Sequence, residues 1–195
     1  MTEPIVGIVL AGGRSARFGR DKLAEPIGGQ SMLDRAIAAV GQVAGVVLVV
    51  AAPDSLPAMS SPDVRIVHDV RAFEGPLAGL ATGLSAMDLT IDRVIVVGGD
   101  MPTLVPAVLR RLVDALDTYE AAVLADDAGP RPLPTALRRS AAAPVVERLL
   151  DKGERRLRAL LVELDVLVIP PATWRVDDPD GVTLRDIDVP GDLPV

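Results

Sequence analysis

The sequence predicts an α/β protein: a single domain whose doubly wound, mostly parallel sheet is covered by helices on both faces. Three observations predict it. Short β-branched runs recur along the first two thirds of the chain, and amphipathic stretches of helical length stand between them. The composition is 49% hydrophobic but only 2% aromatic, dominated by Val, Leu and Ala. Branched aliphatic side chains pack well on a pleated surface, and strands covered on both faces carry them continuously rather than in alternation. The 195 residues are enough for one sizeable core and too few for two comfortable ones.

The runs "PIVGIVLA" (4–11), "AGVVLVVAA" (44–52), "VRIV" (64–67), "RVIVVGG" (93–99) and "EAAVLA" (120–125) read as buried strands. Between them, "SMLDRAIAAVGQV" (31–43) reads as a helix capped by Ser31, with Asp34 at the third helical position of a capping box. "PLAGLATGLSAM" (76–87) opens with Pro in a first-turn position. "LVPAVLRRLVDALD" (104–117) carries apolar residues at 105, 108, 109, 112, 113 and 116, a helical stripe. Strand and helix alternating in this way imply crossover connections in one sheet. Beyond 126 the pattern loosens: "DDAGPRPLP" reads as a loop and "TALRR" as a strand. "APVVERLLDKGERRLRALLVEL" reads as two helices broken at Gly153, and the Pro- and Asp-rich tail as short strands.

Charge narrows the partners. A formal charge of −7 with one Trp, one Tyr and two Phe argues against nucleic-acid binding, which needs a basic face and stacking rings. No cysteine is present, so neither disulfides nor a thiolate metal site are expected. The start, "MTEPIVGIVLAGG", lacks a basic region and its apolar run is short. No signal peptide, no transmembrane helix and a cytoplasmic location are the expectations.

Against the acidic whole, "LAGGRSARFGRDKL" (10–23) puts three glycines and four cations behind the first strand. Glycine there frees backbone N–H groups to converge on an anion, and Arg14, Arg17, Arg20 and Lys22 outweigh Asp21. A small phosphorylated ligand fits; a solvated surface loop is the plainer alternative. The spacing matches neither the Walker loop nor the dinucleotide fingerprint. Next, "VIVVGGDMPTL" ends a buried strand on Asp100, with two glycines clearing space beside it. A carboxylate there suits a hard divalent cation bridging protein and phosphate, or it simply caps the next helix. Asp69 ends another strand and would line the same crevice, while the neighbouring His68 carries no assigned role. Asp186 and Asp188 share a face of an extended segment; they read equally as metal ligands or as a solvated turn.

Together these stretches resemble the molybdenum cofactor guanylyltransferases, within a larger group of nucleotidyltransferases that share a Rossmann-like fold of the nucleotide-diphospho-sugar transferase type. The resemblance rests on "LAGGRSARFGRDK", with Phe18 where the family usually has Met. It also rests on "GPLAG" at 75–79, "DMP" at 100–102, "GERR" at 153–156 and "DIDVP" at 186–190, where the family pattern has Asn in place of both Asp residues. It spans nearly the whole chain.

The resemblance implies transfer of GMP from GTP to molybdopterin, or the molybdenum cofactor, with release of pyrophosphate. It implies Mg²⁺ as cofactor. Leu10, Ala11, Gly12, Gly13 and Asp69 would meet the nucleotide, Arg17 and Lys22 its phosphates, and Asp100 the metal, with Asp188 a candidate second ligand. Residues 1–126 would form the nucleotide-binding part and 127–195 the acceptor side. Molybdoenzyme chaperones are candidate docking partners. Guanine offers an N1–H and an amine on one edge, which backbone carbonyls near Leu10 or Ala51 would accept. The family's Asn after the second strand is missing from "VVAAPDS", so cytidylyl transfer to the same cofactor and sugar-1-phosphate nucleotidyl transfer remain alternatives. A nucleotide-binding regulatory protein without turnover is the non-enzymatic one.

Overall fold

The computed structural model describes residues 3–12, 22–53, 64–69, 74–187 and 190–192. The chain enters through β1 (Ile5–Leu10), then a two-residue hairpin of β2 (Pro26–Ile27) and β3 (Gln30–Ser31), α1 (Met32–Gly41), β4 (Val46–Ala51) and β5 (Val64–His68). It continues through α2 (Pro76–Ala86), β6 (Arg93–Gly98), α3 (Pro106–Asp114), β7 (Ala121–Asp126), β8 (Gly129–Arg138) and α4 (Arg139–Asp151). Two single-turn helices, α5 (Leu160–Glu163) and α6 (Pro171–Trp174), flank β9 (Val166–Ile169).

Seven strands form one sheet in the order β5-β4-β1-β6-β8-β7-β9. All neighbours pair in parallel except β8, which runs antiparallel to both β6 and β7. Successive residues along each central strand feed opposite cores. Val9, Val49 and Val97 pack with Leu33, Ile37 and Val40 of α1 and Val108, Leu109 and Leu112 of α3. Ile8, Val50 and Val96 pack on the other side with Leu77, Leu80 and Leu84 of α2 and Val145, Val146 and Leu149 of α4. Both faces are therefore apolar, which is why the strand runs show no alternation. Since β1 is succeeded by β4 on one side and flanked by β6 on the other, the sheet changes winding direction between β1 and β6. Ligands of open α/β sheets bind beyond the strand ends at such a point.

Ser31 caps α1 as its sequence suggests: its hydroxyl accepts from Asp34 N at 3.0 Å. The Asp34 carboxylate returns a bond to the cap through the side chain, accepting from the Ser31 hydroxyl at 2.8 Å.

Four local expectations need correction. "VRIV" is not buried on both faces: β5 is the sheet edge, with Val64, Ile66 and Val67 only half-buried and Arg65 and His68 exposed. The loop expected at 126–134 is largely the first half of β8. Pairing with β6 covers only Thr135–Arg138, so Pro130, Pro132 and Pro134 lie past the point where that neighbour requires an N–H. The second helix after Gly153 shortens to a 3₁₀ turn at Leu157–Ala159 and the single turn α5, because the Glu154 carboxylate binds Arg155 N and Arg156 N and holds them out of a helix. In the tail only β9 is a strand. Pro170 and Pro171 stop it, and Trp174 then buries its ring and donates Nε1–H to Ala125 O at 2.8 Å.

Candidate active site

Beyond the carboxyl ends of β1, β4, β5 and β6 lies a cavity of about 590 Å³, lined by Leu10, Gly12, Val50, Asp69, Glu74, Gly75, Pro76, Gly79, Gly98, Asp100 and Leu133. Leu10, Gly12, Asp69 and Asp100, four of the residues singled out from the sequence, thus face one space. Ala11 stands behind it: the residue is buried and its N–H donates to Val50 O at 2.8 Å, so it braces the loop. Gly13, Arg17 and Asp188 lie outside the described residues.

Asp100 stands two residues past the end of β6. Its Oδ2 accepts from Lys22 Nζ at 2.8 Å, and Lys22 also donates to Ile187 O at 3.1 Å. The Lys22 side chain is only 13% exposed and that of Asp100 29%, so the pair is screened less than a surface ion pair. Ile187 in turn donates its own N–H to Asp100 O at 3.0 Å. One tail residue therefore grips both members of the pair. The tail is itself secured: buried Asp178 accepts from Val182 N at 3.1 Å and Thr183 N at 2.7 Å, Thr103 Oγ1 donates to Val182 O, and Val105 N donates to Thr183 Oγ1. Arg35 donates Nε–H to Pro102 O at 3.2 Å and steadies the same turn.

Asp69 hangs from the end of β5. Its Oδ1 accepts from Thr82 Oγ1 at 2.5 Å, and Oδ2 sits 3.7 Å from where a Cβ would stand on Gly12 or Gly79. Burial raises its pKa above the usual carboxylate value; the Thr82 hydrogen bond opposes that shift and the charge of Glu74 adds to it. His68, next to it, is exposed, with Nδ1 3.1 Å from Ala52 O.

The two motifs at 75–79 and 153–156 meet. Gly75 adopts φ +91° ahead of Pro76 at the start of α2, and a Cβ there would stand 2.9 Å from Arg155 O. That carbonyl accepts from Leu77 N at 3.2 Å. Glu154 fixes the turn, and the Arg156 guanidinium together with the two amides it receives holds its carboxyl down at about 2. Asp186 is exposed and stands 4.0 Å from the Arg131 guanidinium.

Sequence reading missed Thr82, Glu74, Leu133 and the Ile187 carbonyl. Thr82 had a signal, the one hydroxyl in the otherwise apolar "PLAGLATGL"; a backbone carbonyl in the tail had none. Near the positions expected to accept guanine, Leu10 O accepts from Gly99 N at 2.9 Å and Ala51 O from Asp69 N at 3.0 Å, each carbonyl keeping a second lone pair.

As for a metal, the described residues hold no group of three His, Cys, Asp or Glu side chains arranged to bind one. A single carboxylate with space beside it still fits a hard cation that takes its other ligands from phosphates and water.

An open α/β sheet with a crevice at its winding switch, Gly12 on one wall and the Asp100 carboxylate on the other suits a nucleotidyltransferase, the class to which the family match assigns the chain. Residues 7–166 match the MobA-like NTP transferase domain, and the chain belongs to that family. A probable molybdenum cofactor guanylyltransferase of Chloroflexus aggregans is 35% identical over 96% of this chain and 90% of its own length. One from Mycobacterium avium is 34% identical over 87% and 88%. Among solved structures, molybdopterin-guanine dinucleotide biosynthesis protein A of Archaeoglobus fulgidus superposes with a TM-score of 0.78 at 22% identity, covering 96% and 94% of the two chains. No helix among the described residues is long and apolar enough to cross a membrane.

Proposed function

We propose that the protein transfers GMP from GTP to the terminal phosphate of molybdopterin or the molybdenum cofactor, releasing pyrophosphate. The observation that carries this reading is the convergence of Leu10, Gly12, Asp69 and Asp100 on one cavity at the winding switch, in a chain about a third identical to proteins named for that activity. The relatives' name supplies guanine and the acceptor; the cavity supplies the place.

In this reading residues 1–126 hold the nucleotide and 127–195 supply the acceptor side, where Leu133 of β8 lines the cavity and the 153–156 turn packs against Gly75 and Leu77. Leu10, Gly12 and Gly13 lie along the nucleotide and Asp69 contacts it. Lys22 and Arg17 offset charge on the triphosphate, and Asp100 is the protein's ligand to Mg²⁺, with Asp188 as a second candidate. Bound there, Mg²⁺ would supply Lewis-acid polarisation of the α-phosphate. Catalysis otherwise rests on alignment: an acceptor phosphate oxygen attacks the α-phosphorus in line, and the bond to the pyrophosphate oxygen breaks. The described residues show no nucleophile–base pair in the cavity lining, and none is needed. A cytoplasmic setting and docking of molybdoenzyme chaperones belong to the same proposal.

The test is one assay: purified protein, Mg²⁺ and each of GTP, CTP, ATP and UTP, with and without molybdopterin, followed by pyrophosphate release. Release dependent on both GTP and molybdopterin is expected. Higher catalytic efficiency with CTP would replace guanylyl by cytidylyl transfer, and no release with any nucleotide would return the chain to a binding role.

A further inference from the structure

The Lys22–Asp100 pair poses a problem for metal entry. A divalent ion takes carboxylate oxygens at about 2.1 Å. Lys22 Nζ already stands 2.8 Å from Asp100 Oδ2. An ion on that oxygen would therefore lie within about 5 Å of the ammonium nitrogen, in a setting where the lysine side chain is 13% exposed. Charges that close and that poorly solvated repel strongly. Gly98 leaves the Asp100 carboxylate its place, since a Cβ built there would overlap Oδ1.

The resting position of Lys22 is built by the fold. Its second acceptor, Ile187 O at 3.1 Å, belongs to a buried residue whose N–H is bonded to Asp100 O. Asp178, Thr183 and Thr103 fasten the segment leading to Ile187. A lysine simply seeking the nearest carboxylate would not find a carbonyl held ready on its other side.

We infer that Lys22 is a resident counter-cation of Asp100, which keeps divalent metal off that carboxylate until a polyphosphate draws the ammonium away. The inference rests on the reading of Asp100 as the metal ligand. A triphosphate offers Lys22 several anionic oxygens in competition with the Asp100 carboxylate and the Ile187 carbonyl, so the ammonium moves to it and Asp100 is released to the cation. Metal and polyphosphate then bind with positive coupling, and the coupling is reciprocal. The metal accordingly enters with the nucleotide or after it, and bare metal occupies the site weakly.

The experiment uses Mn²⁺ alone, with no nucleotide, on the full chain, and reads free Mn²⁺ by its electron paramagnetic resonance signal. Lys22→Met, which keeps length and removes charge, should bind Mn²⁺ at least about tenfold more tightly than the parent, within the usual range of such couplings. Lys22→Arg should stay as weak as the parent, and adding Asp100→Asn to Lys22→Met should abolish the gain. Circular dichroism checks folding, and Lys22→Gln serves if Lys22→Met unfolds. Equal Mn²⁺ affinity in the parent and both neutral variants, or an equal gain with Arg, overturns the inference. Failure here leaves the pyrophosphate assay to decide the transfer reaction. Failure of that assay leaves the Mn²⁺ result standing.

Discussion

Gly98 lies so close to the Asp100 carboxylate that a Cβ built at residue 98 would overlap Oδ1. The clearance decides where Asp100 points, and through it where Lys22 rests.

Gly98→Ala should therefore displace the carboxylate and leave the sheet intact. Backbone pairing at the end of β6 does not depend on the missing side chain, whereas alignment at a reacting centre tolerates little displacement. Transfer is expected to fall at least about tenfold, or ~1.4 kcal/mol, with an unchanged far-ultraviolet circular dichroism spectrum. Parent-like turnover would mean that the carboxylate has room to spare.

Asp100→Asn keeps the size and removes the charge of the proposed metal ligand. Turnover should drop by well over tenfold and lose its saturation with Mg²⁺. A rate within about threefold of the parent, under ~0.7 kcal/mol, would take the metal away from Asp100.

The contrast between these two residues shows what a sequence displays. "VVGGD" announces a strand ending on a carboxylate with cleared space, since apolar runs, glycine and charge are all local signals. The same is true of "PLAGLATGL" and of the Ser31 cap. The tail gave no such signal. Its bonds to Lys22 and Asp100 run through the backbone of Ile187, and a backbone atom is the same at every residue. β8 was hidden for the opposite reason. Three prolines in "GPRPLP" speak for a loop, yet they fall where pairing with β6 has already stopped at Thr135, so on that side no ladder bond is required of them. The halves of the site brought together by Gly75 and Arg155 were visible as separate motifs but not as a contact, because sequence separation carries no distance.

Asp178 tests the tail. The side chain is buried and its carboxylate serves Val182 N and Thr183 N. Asp178→Ala leaves two amides without an acceptor, at about 1–3 kcal/mol for a buried group left unpaired. It also loosens the segment that carries Ile187. Urea unfolding should show a loss of that size, with Asp178→Asn intermediate because one oxygen remains. Unchanged unfolding midpoints in both variants would free the tail from any role in holding Lys22.

Asp69 tests the balance between stability and binding. Burial raises its pKa above the usual 3.8, so between those two values the folded chain holds more proton than the unfolded one. Stability is then lost as pH rises through that interval, and the loss persists at pH 7. Asp69→Asn abolishes the charge while keeping an oxygen for the Thr82 hydroxyl. It should raise the thermal midpoint at pH 7, with the gain shrinking as pH falls toward the ordinary carboxylate range. The same change removes an anionic acceptor from the cavity wall, where it lies close to Gly12 and Gly79, and GTP affinity measured by calorimetry should fall. The two effects have opposite signs because a buried charge costs the empty fold and serves the bound ligand. A variant less stable at pH 7 would remove the burial cost of the Asp69 charge, and one that binds GTP as tightly as the parent would remove Asp69 from the nucleotide site.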